Sequence, residues 1–180
     1  MSKIIDKKAL VMCLSYPSKN GRPKRFIHLL DELNYSIDVF SYEKNITNDK
    51  VRNQFYINQP SHSIFLKYTR RVKNLMLSLL FLIFRSKKIL SAVLKLRFNL
   101  LNKAKIFLEK NYDLIIVQDL NLLPLANEIK KTARIIFDAR EFYPLQNEES
   151  KYFKIIEKPQ RMFLCNHFLS KCDKVVTVSP

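Results

Sequence analysis

Apolar runs alternate with helix-type patterns along most of the chain. The run ALVMCLSYP (9–17) is apolar nearly throughout, which is typical of a strand covered on both faces. YSIDVFSY (35–42) alternates between apolar and polar residues like a second strand. With a helix between them, these segments predict a strand–helix–strand unit with a right-handed crossover.

A turn and a helix are predicted between the two strands. The segment SKNG (18–21) is expected to turn the chain, since Asn20 and Gly21 are able to take positive φ, and Pro23 suits the first turn of a helix. The residues that repeat at helical spacing, and that we expect to form the buried face, are Phe26, Leu29, Leu30 and Leu33.

The second half of the chain returns to this alternation. YDLIIVQD (112–119) and RIIFDARE (134–141) predict buried strands, and Pro124 opens a helix between them. A helical region is expected from Ser150 to Lys171, broken or kinked at Pro159.

A last strand is predicted at DKVVTVSP (173–180). Strands that alternate with helices in this way predict an α/β fold, a doubly wound parallel sheet. The length fits one domain over residues 1–180.

The middle of the chain departs from this rhythm. A polar stretch (43–61) precedes a predicted short strand at SIFLKY (63–68). NLMLSLLFLIF (74–84) is apolar nearly all round but shorter than the roughly 20 residues that span a bilayer. An amphipathic helix is predicted over 89–110. Its apolar face would hold Leu90, Val93, Leu94, Leu101, Ala104 and Leu108, opposite Lys88, Lys95, Lys103 and Lys110.

Positive charge is concentrated in the same region. The segment 67–110 carries 12 Lys or Arg and one acid, Glu109, so it supplies most of the net charge of +16. It is either a solvated helical insert that covers the sheet or a contact with an anionic membrane surface. No nucleic-acid motif accompanies it, so nucleic acid is the least favoured partner. The membrane contact would use Arg70, Arg71, Lys73, Arg85, Lys87, Lys88 and Lys95.

Several classes of site are excluded or not indicated. Gly21 is the single glycine, so neither a GxGxxG fingerprint nor a P-loop is present, and no cofactor is expected in this chain. The three cysteines show no CxxC spacing and the three histidines are scattered, so no metal site is predicted, and Cys13 is expected to be a small buried side chain. The first residues lack an apolar signal segment, which favours a cytoplasmic location.

Polar residues follow each predicted strand. In open parallel sheets, ligands bind beyond the carboxyl ends of the strands, so these residues are expected to share one edge and to line a cleft. They are Ser18, Asn20, Gly21, Arg22, Gln118, Asp119, Asp138, Arg140, Glu141 and Ser179.

The segments YDLIIVQDLNLLPLANEIKKTARIIFDAREFYP (112–144) and CDKVVTVS (172–179), together with the opening SYPSKNGRPKRFIHLLDELNYSIDVFSY (15–42), resemble the N-terminal domain of family 4-like GT-B glycosyltransferases. The resemblance covers the chain except the basic insert. It implies a Rossmann-like half that holds the acceptor. It also implies a separate C-terminal half, absent here, that binds a nucleotide-sugar donor.

Two positions depart from the family pattern. Gln118 and Arg140 stand where relatives have histidines, whereas Asp119, Asp138 and Glu141 match the pattern. Arginine stays protonated and cannot act as a base, but it can bind a phosphate group of a donor or a lipid acceptor.

The resemblance implies a transferase that adds a sugar to a saccharide or lipid-linked acceptor in bacterial surface polysaccharide or glycolipid synthesis. This chain alone is then expected to turn over no nucleotide sugar. The alternative is a non-enzymatic basic α/β module that binds an anionic membrane or nucleic acid.

Overall fold

The structure, a computed structural model, describes residues 7–44, 46, 49–57, 64–100, 106–107, 109–140 and 143–177. Its six strands form one sheet in the order β3-β2-β1-β4-β5-β6, and all neighbours are parallel. The predicted Rossmann-like, doubly wound α/β fold is therefore confirmed. The strands are β1 Lys8–Met12, β2 Ser36–Ser41, β3 Val51–Tyr56, β4 Leu114–Val117, β5 Arg134–Ala139 and β6 Lys174–Thr177. The longer helices are α1 Gly21–Glu32, α2 Ile64–Phe84, α3 Lys87–Arg97, α4 Leu123–Ile129 and α5 Lys158–Phe168.

Alternate residues of the central strands enter two separate cores. Leu10 and Met12 of β1 belong to the larger core, which also contains buried residues of α2, α3, α4 and α5. Ala9 and Val11 belong to the smaller core, which contains the buried face of α1. Because both faces of β1 are covered from Ala9 onward, the stretch from Ala9 to Met12 is apolar throughout.

The third strand lies in the stretch that the sequence identifies only as polar (43–61). β3 (Val51–Tyr56) pairs with β2 at the edge of the sheet, where its side chains are half-buried or exposed. Its mixed sequence VRNQFY therefore lacks the apolar signal of a central strand. The strand predicted at 63–68 is wrong, because residues from Ile64 onward form α2.

The predicted buried face of α1 is only partly correct. Leu30 is buried, but the other core residues are Pro23 and Ile27, whereas Leu29 and Leu33 are 48% and 56% exposed. Phe26 is half-buried and packs against the smaller core, as expected, and it also lines a cavity together with the exposed Leu29. The helix is therefore rotated from the predicted orientation, which turns Leu29 and Leu33 away from the core.

The turn before α1 also differs from the prediction. Asn20 has φ −119°, and its side-chain oxygen accepts a hydrogen bond from the Arg22 backbone N–H at 3.2 Å, so it is the N-cap of the helix. Gly21 is the first helical residue and has no positive φ. The positive φ that this residue pair allows is not adopted, because a capped helix begins there.

Gly21→Ala should raise the free energy of unfolding by about 0.4–1 kcal/mol, since the substitution restricts the unfolded chain and a Cβ at this position meets nothing within 4 Å. Urea unfolding of the two proteins measures the difference. A lower stability of Gly21→Ala would contradict the helical assignment of this residue.

The amphipathic helix predicted over 89–110 is shorter than expected. α3 ends at Arg97, and Asn99 takes φ 58°, a left-handed conformation that stops a helix. The predicted core positions Leu90, Val93 and Leu94 are buried. Lys110 pairs with the buried Asp38 at 2.9 Å instead of lying on a helix face. The predicted positions that lie outside the described residues are Leu101, Lys103, Ala104 and Leu108.

The helical region near the end of the chain is confirmed, with a π turn next to the proline. The Lys158 backbone N–H donates to the Phe153 carbonyl, and Phe153–Glu157 forms a π-helical turn just before Pro159. A wider turn accommodates a residue that lacks a backbone N–H. Within the part of the chain that the structure describes, no helix combines the length and apolarity needed to cross a membrane.

Candidate functional site

The candidate site lies at the carboxyl ends of β1, β4 and β5. β1 and β4 are neighbours, and the chain proceeds from β1 to one side of the sheet and from β4 to the other. This reversal is the topological switch point, where ligands bind in open parallel sheets. The loop after β1 carries Arg22 through the start of α1, β4 leads to Gln118, and β5 ends in Asp138 and Arg140.

Four predicted residues form one hydrogen-bonded chain, here named the rim cluster: Arg22, Gln118, Asp138 and Arg140. Arg22 Nη1 lies 3.0 Å from Asp138 Oδ1. Gln118 Nε2 donates to Asp138 Oδ2 at 3.3 Å, and Arg140 Nη2 donates to Gln118 Oε1 at 3.0 Å. Three polypeptide segments are thereby joined side chain to side chain.

The members of the rim cluster differ in depth. Gln118 is 0% exposed, so it lies beneath the cleft surface instead of lining it, and it links the carboxylate to the second arginine. Asp138 is buried, whereas the Arg22 side chain keeps 26% of its surface exposed. The Tyr143 hydroxyl donates to the Gln118 backbone carbonyl oxygen at 3.4 Å, which fixes the chain just after β4.

One donor of the rim cluster has no acceptor. Arg140 Nε is buried and has no hydrogen-bond partner among the described residues, although the same guanidinium donates from Nη2. The cluster also holds two cationic groups and one carboxylate, so it carries an excess of positive charge. A buried, unpaired cationic N–H is costly, and a ligand oxygen would satisfy it.

Predicted residues around the β1 loop serve mainly to hold that loop. The Asp119 carboxylate accepts from the Leu14 backbone N–H at 2.7 Å and ties the β4 exit to the β1 exit. The Ser18 backbone N–H donates to Glu43 Oε2 at 2.8 Å, and Asn20 caps α1. Their contacts position the neighbouring rim cluster. Glu141 and Ser179 lie outside the described residues.

A cavity of about 240 Å³ opens beside Arg22 and Asp138. Its other lining residues are Arg25, Phe26 and Leu29, which recur at helical spacing along the same face of α1 as Arg22. These three were not predicted as site residues, because Phe26 and Leu29 were assigned to the core. The available signal was the spacing 22, 25, 26, 29, which places an arginine pair and an apolar pair on one face.

Two buried or half-buried side chains at the strand ends resist ionisation. Burial is the main reason that the pKa of Cys13 rises from 9.0 to about 11, and the prediction that this thiol is buried is confirmed. Burial, followed by the Asp119 charge, raises the pKa of Tyr42 to about 12, and the Arg70 charge opposes this shift. Both groups are neutral at physiological pH, so they contribute no anion to the site.

The free energy of unfolding should fall at alkaline pH because the buried Cys13 thiol ionises less readily in the folded protein than in the unfolded chain. The folded pKa is above the unfolded value, so its contribution is complete below pH 9 and is lost as the pH rises from 9.0 to about 11. Over that window the free energy of unfolding should fall by up to about 1.4 kcal/mol per pH unit from this group. Urea unfolding of the wild type and Cys13→Ser from pH 8 to 11 isolates the effect, because only the wild type has the thiol. Equal slopes of unfolding free energy against pH in the two proteins would contradict this role of Cys13.

The residues predicted for a membrane contact separate into two groups. Arg70 donates from Nε and Nη2 to the Leu96 carbonyl, so it caps the end of α3, and burial lowers its pKa. Lys95 pairs with Glu128 of α4 at 2.7 Å. The others are exposed: Arg71, Lys73, Arg85, Lys87 and Lys88.

Among the described residues, no group of three or more His, Cys, Asp or Glu side chains is arranged to hold a metal ion. Neither a scan against protein-family models nor a search of curated proteins found a match to this chain. The resemblance to GT-B glycosyltransferases therefore remains a prediction that rests on its motifs and on their order along the chain.

Proposed function

We propose that this chain is the acceptor-side domain of a glycosyltransferase. The enzyme would move a sugar from a nucleotide-sugar donor to a saccharide or lipid-linked acceptor in bacterial surface polysaccharide or glycolipid synthesis. The observation that carries the proposal is the rim cluster at the switch point of the sheet, where a buried Arg140 N–H has no acceptor within the described part of the chain.

The chemistry of the rim cluster favours binding and charge stabilisation over proton transfer. A guanidinium group donates hydrogen bonds and accepts none, and the Asp138 carboxylate is already engaged by Arg22 and Gln118. Arg140 would instead hold a phosphate oxygen of the acceptor and keep that group oriented toward the donor. The donor nucleotide would be bound by a separate C-terminal domain, as the family resemblance implies.

A short prenyl diphosphate tests the acceptor side of the proposal. Geranyl diphosphate should bind to the chain by calorimetry, and geraniol, which lacks the phosphates, should not. Arg140→Gln should weaken the binding by about tenfold or more, since a charge-assisted hydrogen bond contributes about 1.5–3 kcal/mol. Arg134→Gln is the matched control, because Arg134 is exposed at the opposite end of the same strand.

Two results would contradict the proposal. One is geranyl diphosphate binding that does not change in Arg140→Gln. The other is sugar transfer from a nucleotide sugar by the 180-residue chain alone, because the donor site is assigned to another domain. Tight binding of an oligonucleotide that also ignores Arg140→Gln would favour the non-enzymatic basic module instead.

A further inference from the structure

Helix α2 (Ile64–Phe84) presents an apolar stripe to solvent. Ile83 is 72% exposed, Phe84 65% and Met76 59%, which is unusual for side chains of this size in a folded domain. The exposed members follow one another at three- and four-residue intervals, so they share one face of the helix. The stripe consists of Tyr68, Val72, Leu75, Met76, Leu79, Leu80, Ile83 and Phe84.

The opposite face of α2 is firmly packed, so the stripe is not a core face left uncovered by a loosely attached helix. Phe81 is 0% exposed and meets Phe163 of α5 edge to face, with ring centroids 5.1 Å apart. Ser78 is fully buried on the same side. Arg70 bonds to the end of α3 through two carbonyl oxygens. Packing therefore fixes which face of the helix is turned outward.

Basic residues border the stripe. On the helical projection, Arg71 lies outside one edge of the stripe, whereas Lys73 lies within the opposite edge, next to Leu80. Arg85, Lys87 and Lys88 lie just beyond its C-terminal end and are exposed. Residues 64–97 contain no Asp or Glu at all. The stripe is thus an apolar surface framed by one sign of charge.

We propose that this face of α2 docks on an anionic lipid bilayer. The helix has 21 residues and is about 30 Å long, so it would lie in the plane of the interface with its stripe below the headgroups and its cations among the phosphates. Charge complementarity selects this occupant. A second copy of the chain would bring Arg71 and Lys73 against the same cations, and that arrangement is repulsive.

Docking would also place the rim cluster close to the membrane surface. α2 follows β3, and Arg70 in its second turn is near enough to Tyr42, just past the end of β2, to affect the pKa of that phenol. The N-terminal end of α2 is therefore near the edge of the sheet that carries the rim cluster. A lipid-linked acceptor could then reach the cleft without leaving the bilayer. The docking itself does not depend on the proposed transferase activity.

Vesicle flotation separates insertion of the stripe from adsorption by net charge alone. The chain should bind to vesicles of equal parts phosphatidylglycerol and phosphatidylcholine but not to phosphatidylcholine alone. Leu79→Gln with Ile83→Gln leaves the net charge unchanged and should weaken the binding by about tenfold or more, because two apolar side chains no longer enter the lipid. Leu33→Gln, an exposed leucine on α1, should have no effect.

A fluorescence measurement reports the depth of the helix directly. The chain contains no Trp, so Phe84→Trp introduces a single reporter. Its emission should shift to the blue with anionic vesicles, and the shift should be absent in a Leu33→Trp protein. Equal binding of the wild type and the double Gln variant, or no shift at position 84, would overturn the proposal. A dimer in solution that dissociates on Leu79→Gln with Ile83→Gln would also overturn it, in favour of a second copy.

Discussion

Asp138→Ala should lower the free energy of unfolding by about 3 kcal/mol, measured by urea unfolding at neutral pH. The carboxylate accepts from Arg22 at 3.0 Å and from Gln118 at 3.3 Å. Its removal leaves the Gln118 amide as a fully buried donor without an acceptor, beside two guanidinium groups. The expected loss is below that of a completely buried pair, because the Arg22 side chain is 26% exposed and water replaces part of its contact.

The matched control is Asp31→Ala, which removes a carboxylate from an exposed pair with Lys50. That change should stay within about 0.5 kcal/mol. A double-mutant cycle of Asp138→Ala and Arg22→Ala then isolates the pair itself and should give a coupling of about 1 kcal/mol. If Asp138→Ala cost no more than Asp31→Ala, the hydrogen-bonded rim cluster would not exist in solution.

Phe81→Ala should cost about 3–4 kcal/mol of unfolding free energy. The ring is 0% exposed, belongs to the larger core and contacts Phe163 edge to face. Its loss leaves a cavity between α2 and α5 that the surrounding helices fill only in part. Thermal or urea unfolding monitored by circular dichroism measures the effect.

The same helix supplies the control for this prediction. Phe84→Ala removes an identical side chain that is 65% exposed, and it should change stability by no more than about 0.5 kcal/mol. A cost for Phe84→Ala equal to that of Phe81→Ala would mean that the outward face of α2 is covered in the isolated chain. That result would contradict the assignment of the apolar stripe as a free surface.

The central strands were predictable from sequence because each is covered on both faces. β1, β4 and β5 are short apolar runs bounded by turn residues, and this pattern is typical of strands buried inside a parallel sheet. The edge strand β3 was missed because its side chains are exposed or half-buried, so the burial that creates the apolar signal is absent. The segment 63–68 was misassigned because a short stretch with apolar positions fits a strand as well as the start of a helix.

The candidate site was predictable to the level of which residues share an edge. Parallel strands bring their carboxyl ends together, so the neighbourhood of Gln118, Asp138 and Arg140 followed from strand order alone. Their depths did not follow, since Gln118 proved to be fully buried. The contribution of Leu29 to the cavity was not predictable, because a rotation of α1 exchanges core and cleft positions that the sequence pattern cannot distinguish. Phe26 packs against the smaller core as predicted and lines the cavity as well.

For the basic residues of 67–110, the sequence likewise did not show which side chains are exposed and which are paired within the chain. Composition predicted an anionic partner, but it assigned Arg70 and Lys95 to the contact, and the structure gives both of them intramolecular partners. Long basic side chains near helix ends often bond to carbonyl or carboxylate oxygens of the same chain. The distinction between such residues and exposed ones such as Arg71 required the packing of α2 against α3.

We expect the Arg140 Nε–H, which is unpaired among the described residues, to donate to a phosphate oxygen of the ligand. ¹⁵N NMR of arginine side chains observes this N–H group directly. During a titration with geranyl diphosphate, the Arg140 Nε–Hε signal should shift in a saturable manner, because its buried donor gains an acceptor. The signal of the exposed Arg134 at the far end of β5 should not move. An Arg140 signal that stays in place throughout the titration, or one that moves no more than that of Arg134, would rule out this role for Arg140.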